Sequence, residues 1–351
     1  MMNGGMPFYI RYYKYMKKIK WKIAIFGAII LSFGLFTGCG NKAVSETSTK
    51  PIEFRYGYTA TNSDVLSGLN GIAMKQGYFE EEFKNVNTEF KPIPFVKAGP
   101  AINSALAGGE LEAGGLGDVP AIVAKAQKSN TTLINVQPSD YSTHLIVSKN
   151  SNITKVSELK GKKVAVQVGS YMQRILFQIL EKNGLSPSDV ELVNMSEVDA
   201  SSAIASGSID ATAVTELKGV KLEKAGNINL IFDTAGDEEL IQQTASVVRT
   251  DFAKAHPEVI KAYFKALIRA EEYAKNHPDD LRSLYIESGI EADILDTAYP
   301  NLSDYKALTG TTDQSLKAME NTVSFLKTNN LITGDVNIKE WYDESFYNNA
   351  K

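Results

Sequence analysis

Beyond residue 50, short apolar runs alternate with stretches that carry the three-to-four-residue spacing of amphipathic helices. Ile52–Thr59 predicts a first strand, and residues 88–93 and 111–114 predict the next two. Helices are predicted between these strands, at residues 64–75 and 101–107. This regular alternation indicates an α/β fold with mostly parallel sheets.

A second unit begins near residue 157 and repeats the alternation. A strand at 163–167 leads into an amphipathic helix at 170–182, with apolar side chains along one face. A strand predicted at 245–249 returns the chain to the first unit. The remainder is helical, and Pro257 stands at the first position of a helix, where proline is well tolerated.

Three predicted strand-to-helix junctions, at residues 60–64, 114–120 and 167–171, are rich in glycine, hydroxyl or amide groups. Each would lie at the carboxyl end of a strand, where open α/β sheets bind ligands. The glycines at the second junction fail the dinucleotide-binding pattern, because Pro120 stands where its third glycine is required. The junctions therefore predict a ligand cleft without a dinucleotide.

The third junction has the clearest chemistry. Gly169 allows close backbone approach, and Ser170 is suited to the N-cap of the following helix. The free N–H groups and positive dipole end of that helix would then form an anion site. The alternative is an ordinary helix cap with no ligand.

A fourth candidate, Thr215 and Glu216, follows the predicted strand at 211–214. The Glu216 carboxylate could accept a hydrogen bond from a ligand amine, or it could orient Ser170. The alternative is a solvated glutamate at the start of a surface helix.

The first 38 residues have the order of a secretory signal: basic residues at 17–22, an apolar run at 23–36, and small residues before Cys39. The apolar run is shorter than the ~20 residues that span a bilayer, although a short membrane anchor is the alternative. The end of the run resembles a bacterial lipobox, which implies cleavage before Cys39 and lipidation of its sulfur. Residues 39–50 then predict a polar tether, and Met16 is an alternative start.

Composition narrows the possible functions. After the signal, 31 basic residues face 41 acidic ones, which argues against nucleic acid as a partner. A single cysteine and three scattered histidines exclude an internal disulfide and a cysteine-based zinc cluster. We therefore expect neither cofactor nor metal. No Ser-x-x-Lys site or nucleophile elbow stands beside a plausible base, and Ser170 has no evident general base nearby, so we also expect that the protein is not an enzyme.

Several segments resemble the nitrate/sulfonate/taurine family of periplasmic binding proteins, and residues 159–174 most resemble its aliphatic-sulfonate-binding branch. The resemblance covers roughly residues 52–290 in the same order. The other segments that carry it are residues 68–83, 99–106, 114–121, 189–194 and 206–211.

The resemblance implies a two-lobed periplasmic-binding-protein fold of type 2, in which each lobe is a mostly parallel sheet flanked by helices. Residues 51–143 and 245–351 would form lobe I, and residues 144–244 would form lobe II, with the ligand cleft between them. The site residues expected from the resemblance and from the fourth candidate are Asn62, Ser63, Gly117, Asp118, Gly169, Ser170, Tyr171, Thr215 and Glu216.

The function implied is that of the extracytoplasmic solute-binding subunit of an ABC importer, monomeric, anchored to the cell membrane through Cys39 and delivering its solute to the membrane permease. The expected solute is a small organic anion, above all an aliphatic sulfonate. Taurine, a nitrate-like anion and a thiamine-precursor pyrimidine are the alternatives, and an enzyme of the same fold is a remote one. Relatives usually carry an aromatic-acid-proline cluster near Thr215, and its absence here leaves the substrate open.

Overall fold

The computed structural model describes residues 50–60, 63–96, 98–138, 142–237, 240, 242–300 and 309–351. The predicted signal at 1–38, Cys39, nearly all of the tether at 39–50 and the candidate ligand contact Asn62 lie outside the described residues. Within these ranges, no helix combines the length and the apolar character needed to cross a bilayer.

Ten strands in the described part of the chain form two five-stranded sheets that share one topology. In each sheet, four strands run in one direction and the strand in fourth position runs against them. The first sheet has the order β2-β1-β3-β10-β4, with β1 Ile52–Thr59, β2 Thr88–Phe95, β3 Ala113–Gly117, β4 Thr131–Pro138 and β10 Gln243–Arg249. The second sheet has the order β7-β6-β8-β5-β9, with β5 Thr143–Ser148, β6 Lys163–Val166, β7 Glu191–Asn194, β8 Ala211–Thr215 and β9 Ile228–Asp233.

The antiparallel strand of each sheet is the first strand that follows a crossing between the sheets. The chain leaves the first sheet after β4 and enters the second at β5, and it returns after β9 at β10. Both sheets are mixed and flanked by helices, which is the α/β class predicted from the alternation. The exact lobe limits, at residues 143/144 and 244/245, stay predictions.

The helices follow the predicted order along the chain. Their bounds are α1 Gly68–Lys75, α2 Tyr78–Lys84, α3 Ala98–Ala107, α4 Asp118–Ala126, α5 Tyr171–Lys182, α6 Glu197–Ser206, α7 Glu216–Lys224, α8 Thr250–Ala255, α9 Pro257–Asn276, α10 Pro278–Glu287, α11 Ala292–Ala298, α12 Asp313–Thr328, α13 Ile338–Trp341 and α14 Ser345–Asn348.

One strand was predicted wrongly, at 111–114, because glycines were expected to end it. In the structure β3 runs through both central glycines. A Cβ at Gly115 would lie 2.4 Å from the Tyr56 hydroxyl, and one at Gly114 would lie 2.7 Å from a methyl group of Ile102. These glycines therefore allow β3 to pack closely against Tyr56 of β1 and Ile102 of α3, and they do not form a turn.

The predicted helix at 64–75 also begins later, at Gly68, with Ser67 as its N-cap. The preceding segment is held in a non-helical turn by two local hydrogen bonds. The Tyr58 hydroxyl donates to the Asp64 carbonyl, and the Val65 N–H donates to Ser63 Oγ at 3.2 Å. Short polar side chains that bond their neighbours' backbone compete with helix formation in this way.

One cluster of buried apolar side chains continues from the first sheet to the second. It contains Leu116 and Val136 from the first sheet, and Val164 from the second. The rings of Phe177 in α5 and Phe325 in α12 lie 6.4 Å apart within it. The two sheets are therefore joined by a common apolar core as well as by the two crossing segments.

A buried ion pair lies at the same junction. Arg174 in α5 places a guanidinium nitrogen 3.1 Å from Asp118 Oδ2 at the start of α4, with the side chains 4% and 0% exposed. The Val119 N–H and the Thr322 hydroxyl also donate to this carboxylate, at 2.8 and 2.9 Å. Asp118 is thus compensated by three elements, which a buried charge requires.

Replacing Arg174 with Met should destabilise the protein by about 3–5 kcal/mol, because it leaves the Asp118 charge buried without its counter-charge. The double variant Asp118→Asn with Arg174→Met should regain most of that loss, since neither partner is then charged. Urea unfolding followed by circular dichroism measures both.

Arg282→Met is the matched control for that experiment. Arg282 pairs with Asp296 at 2.7 Å, but the side chains are 36% and 53% exposed. An exposed pair contributes about 0–1 kcal/mol. Equal losses in the Arg174 and Arg282 variants would contradict a structural role for the buried pair.

Candidate functional site

A cavity of about 460 Å³ lies where the carboxyl ends of β1, β3 and β8 meet. Such an end is the expected ligand position in an α/β sheet. Its polar lining includes Ser63, Ser67, Asn70 and Thr215, and its apolar lining includes Leu66, Leu217, Ile290 and Ile294. Tyr56, Tyr58, Tyr171, Tyr285 and Tyr299 complete an aromatic part of the wall.

Five of the described helices that are eight residues or longer begin at this cavity. The N-cap residues of α1, α4 and α7 line it, and so do the first residues of α5 and α6. The first-turn N–H groups of a helix lack intrahelical partners, and the helix dipole makes that end positive. The cavity is therefore suited to an anionic group.

Gly117 and Tyr171 meet across the cavity from the two sheets. A Cβ on Gly117 would lie 3.1 Å from Cδ1 of Tyr171, so the close approach favours glycine at this position. Burial and the nearby Glu197 charge raise the pKa of Tyr171. A tyrosine hydroxyl is ordinarily protonated at neutral pH, and this one can donate a hydrogen bond.

The sequence-predicted site residues divide into two groups. Ser63, Gly117, Tyr171 and Thr215 line the cavity together. Gly169, Ser170, Asp118 and Glu216 do not line it, and each is hydrogen-bonded or ion-paired to other residues of the protein instead. As ligand contacts, all of them stay predictions.

At the third junction, the polar groups form a helix cap. Ser170 is the N-cap residue of α5, as predicted, and its hydroxyl accepts from the Gln173 N–H at 3.4 Å. The same hydroxyl donates to the Gln167 carbonyl at 2.6 Å, and the Gly169 N–H donates to Gln173 Oε1 at 2.9 Å. Of the residues at this junction, Tyr171 lines the cavity.

Glu216, the first residue of α7, is hydrogen-bonded to Ser142, which lies just before β5 in the first crossing between the sheets. Its Oε2 accepts from the Ser142 N–H at 3.1 Å, while its own N–H donates to the Ser142 carbonyl at 3.2 Å. Burial raises the pKa of Glu216, and the Ser142 N–H partly offsets that effect. These contacts connect the start of α7 to the backbone of the segment that joins the two sheets.

Sequence reasoning missed several charged or amide side chains of the cavity wall. Glu197, at the start of α6, accepts from the N–H and the hydroxyl of Thr215 at 2.6 and 2.8 Å. Lys218 and Gln242 also line the cavity. Lys218 could have been identified from the sequence by its position two residues after the candidate Glu216.

Two ion pairs join α7 to the segment that follows α10. Lys221 lies 2.5 Å from Glu291, and Lys224 lies 3.1 Å from Asp293. Lys221 and Glu291 also line the cavity. The pairs connect the two sides of the cavity at its exposed margin, because α7 packs on the second sheet and α10 packs on α1 of the first.

Comparison with known proteins gives consistent results. A family model described as NMT1/THI5 like matches residues 72–281, more than half of the chain. A protein of Bacillus subtilis (strain 168) named as an aliphatic-sulfonate-binding protein is 27% identical over 92% of this chain and 96% of its own. The taurine-binding periplasmic protein of Escherichia coli (strain K12) is 30% identical over 66% of this chain and 75% of its own.

Solved structures share the fold. The alkanesulfonate-binding protein SsuA from Xanthomonas axonopodis pv. citri, bound to MOPS, superposes with a TM-score of 0.72 at 22% identity, over 84% of this chain and 99% of its own. The desulfurization enzyme DSZB superposes with a TM-score of 0.67 at 19% identity, over 85% and 98%. The chain therefore has the periplasmic-binding-protein fold.

The Glu216→Gln substitution tests the electrostatic role of the Glu216 carboxyl group, whose pKa is raised by burial. A pKa above the ordinary 4.5 in the folded state favours folding below pH 4.5, and that contribution is lost as pH rises through the folded-state pKa. Glutamine keeps an oxygen for the Ser142 N–H but cannot ionise. The stability of the variant relative to wild type should therefore increase between pH 4 and pH 7, as measured by urea unfolding at each pH.

Glu320→Gln is the control, because Glu320 is exposed on α12 and lies outside the cavity wall. Its stability difference from wild type should change little over the same pH range. An identical pH trend in both variants would show that the effect does not belong to the buried position.

Proposed function

Since the chain belongs to the NMT1/THI5-like family, we propose that it is the extracytoplasmic solute-binding subunit of an ABC importer. Its solute is a small organic anion, first of all an aliphatic sulfonate, which it delivers to the membrane permease. Relatives named for sulfonate and taurine binding, matched over most of the chain, support this reading.

The observation that carries the proposal is the convergence of five helix N-termini on one cavity. A sulfonate presents three acceptor oxygens and one negative charge, which N–H groups and protonated hydroxyls can satisfy without full cationic neutralisation. Tyr171 places such a hydroxyl in the wall.

The cavity also favours an organic ligand over a nitrate-like anion. Its volume of about 460 Å³ and its wall of tyrosine and aliphatic side chains accommodate a carbon skeleton as well as a charged head group. A bare inorganic anion would leave that apolar wall without a partner. Butanesulfonate is accordingly a better probe than nitrate.

A second candidate is an aminosulfonate such as taurine. The Glu197 carboxylate lies in the cavity wall and could face a ligand ammonium group. One of its oxygens already accepts two hydrogen bonds from Thr215. This acid, and not the predicted Glu216, supports the taurine alternative.

We propose a binding role and not catalysis. The fold by itself does not separate the two roles, because DSZB is an enzyme of the same fold. The support comes from the relatives of higher sequence identity, 27% and 30% against 19% for DSZB, which are named as binding proteins. Recovery of a bound ligand unchanged after incubation distinguishes the two roles.

Thermal unfolding of the purified protein against a ligand panel tests the function. The panel holds ethanesulfonate, butanesulfonate, taurine, nitrate, a phosphonate and the thiamine-precursor pyrimidine. A ligand at ~1,000 times its dissociation constant adds ~4 kcal/mol to stability, so the midpoint should rise by several degrees with sulfonates.

Sodium chloride at matched ionic strength is the control for general salt effects. If only the pyrimidine or only nitrate raised the unfolding midpoint, the binding function would stand, but the solute would be that ligand and not a sulfonate. The absence of a shift with every member would overturn the proposed class of solute.

The proposed attachment to the membrane rests on the lipobox-like segment ending at Cys39. Two acyl chains suffice for stable anchoring of a protein to a bilayer. Cys39→Ser should therefore move the protein from the membrane fraction to the soluble fraction, with its melting temperature unchanged. A variant that stays in the membrane fraction would contradict lipid anchoring through this residue.

A further inference from the structure

Three lysines stand at three-residue intervals along α7: Lys218, Lys221 and Lys224. Residues at this spacing are neighbours on a helix surface. Lys221 and Lys224 pair with Glu291 and Asp293 across the margin of the cavity. The helix therefore directs a row of cations toward the other side of the cleft.

Lys218 is the member of this row nearest the start of the helix, and it lies in the cavity wall. Among the residues that the structure describes, no carboxylate is within ion-pairing distance of its Nζ. The row thus has two cations matched by protein acids and a third that faces the ligand space.

Within its own helix, two effects disfavour the positive charge of Lys218. It is in the first turn of α7, where the helix dipole is positive, and Lys221 follows three residues later with a like charge. By contrast, α4, α6 and α7 each begin with an acidic residue, as the dipole favours: Asp118, Glu197 and Glu216. An anion bound between Lys218 and the converging helix N-termini would attract the lysine ammonium group, so that the positive charge of Lys218 would become favourable.

We infer that Lys218 is a cationic contact for the anionic head group and a determinant of selectivity for anions over neutral solutes. The inference rests on the proposed solute-binding function. The ammonium group offers three donors on a flexible stem, which suits a sulfonate with three acceptor oxygens. Lys218 lines the same cavity as the helix N-termini described above, so its ammonium group and their first-turn N–H groups border one ligand space.

The substitution Lys218→Gln should have two opposite effects. Without ligand, the melting temperature should rise by about 1–3 °C, since glutamine has a similar helix propensity and removes the misplaced charge. The affinity for butanesulfonate, measured by calorimetric titration, should fall about tenfold or more, because a charge-assisted contact is lost.

Two further variants separate charge from structure. Lys218→Arg keeps a cation at the position and should retain affinity within a few-fold of wild type. Lys254→Gln makes the same exchange in the last turn of α8, away from the cavity wall, where a cation is favourable. It should leave affinity unchanged and should not raise the melting temperature.

The outcomes separate this inference from the function on which it rests. Wild-type protein that binds butanesulfonate, with equal affinity in the Lys218→Gln variant, overturns the role of Lys218 and leaves the binding function in place. A lower melting temperature for ligand-free Lys218→Gln likewise overturns it. Wild-type protein that binds no anion of the panel overturns the proposed function and this inference together.

Discussion

The arrangement of the described part of the molecule depends on how its two sheets are fixed to each other, and the Asp118–Arg174 pair is central to that junction. The pair is almost fully buried, and it joins the start of α4 to the first half of α5. Both helices begin at the cavity. A buried pair adds little to stability relative to apolar residues, but it penalises every arrangement that separates its partners. It therefore sets the spacing of the two helix N-termini that face the ligand space.

The electrostatics of the cavity follow from this topology. Parallel strands place their carboxyl ends at one edge, and the helices that follow them place their positive ends at the same edge. Two sheets of equal topology, set against each other at that edge, bring five such ends together. Tyr171, whose pKa is raised by burial, adds a hydroxyl that remains a donor at neutral pH. Recognition of an anion is thus a consequence of the fold before any lysine is considered.

The sequence predicted what depends on local pattern, and it failed where distant segments meet. The helix at 170–182 and its Ser170 cap were predictable, because Gly-Ser before an apolar stripe is a local signal. The extent of β3 was not, since the packing of Gly114 and Gly115 against Ile102 and Tyr56 is tertiary. Sequence spacing also could not show that Asp118 would meet Arg174, or that Glu216 would bond the Ser142 backbone while Lys218 lines the cavity. Those outcomes depend on the relative placement of the two sheets.

The ion pairs at the margin of the cavity show how strongly the protein's own residues join its two sides. The Lys221–Glu291 and Lys224–Asp293 pairs are exposed, with side chains between 41% and 68% accessible. Exposed pairs contribute about 0–1 kcal/mol each and weaken with salt. Such pairs can define where α7 meets the opposite side, but they are too weak to hold the cleft closed by themselves. A ligand that contacts both sides would stabilise the arrangement in which they meet by its differential affinity for that arrangement.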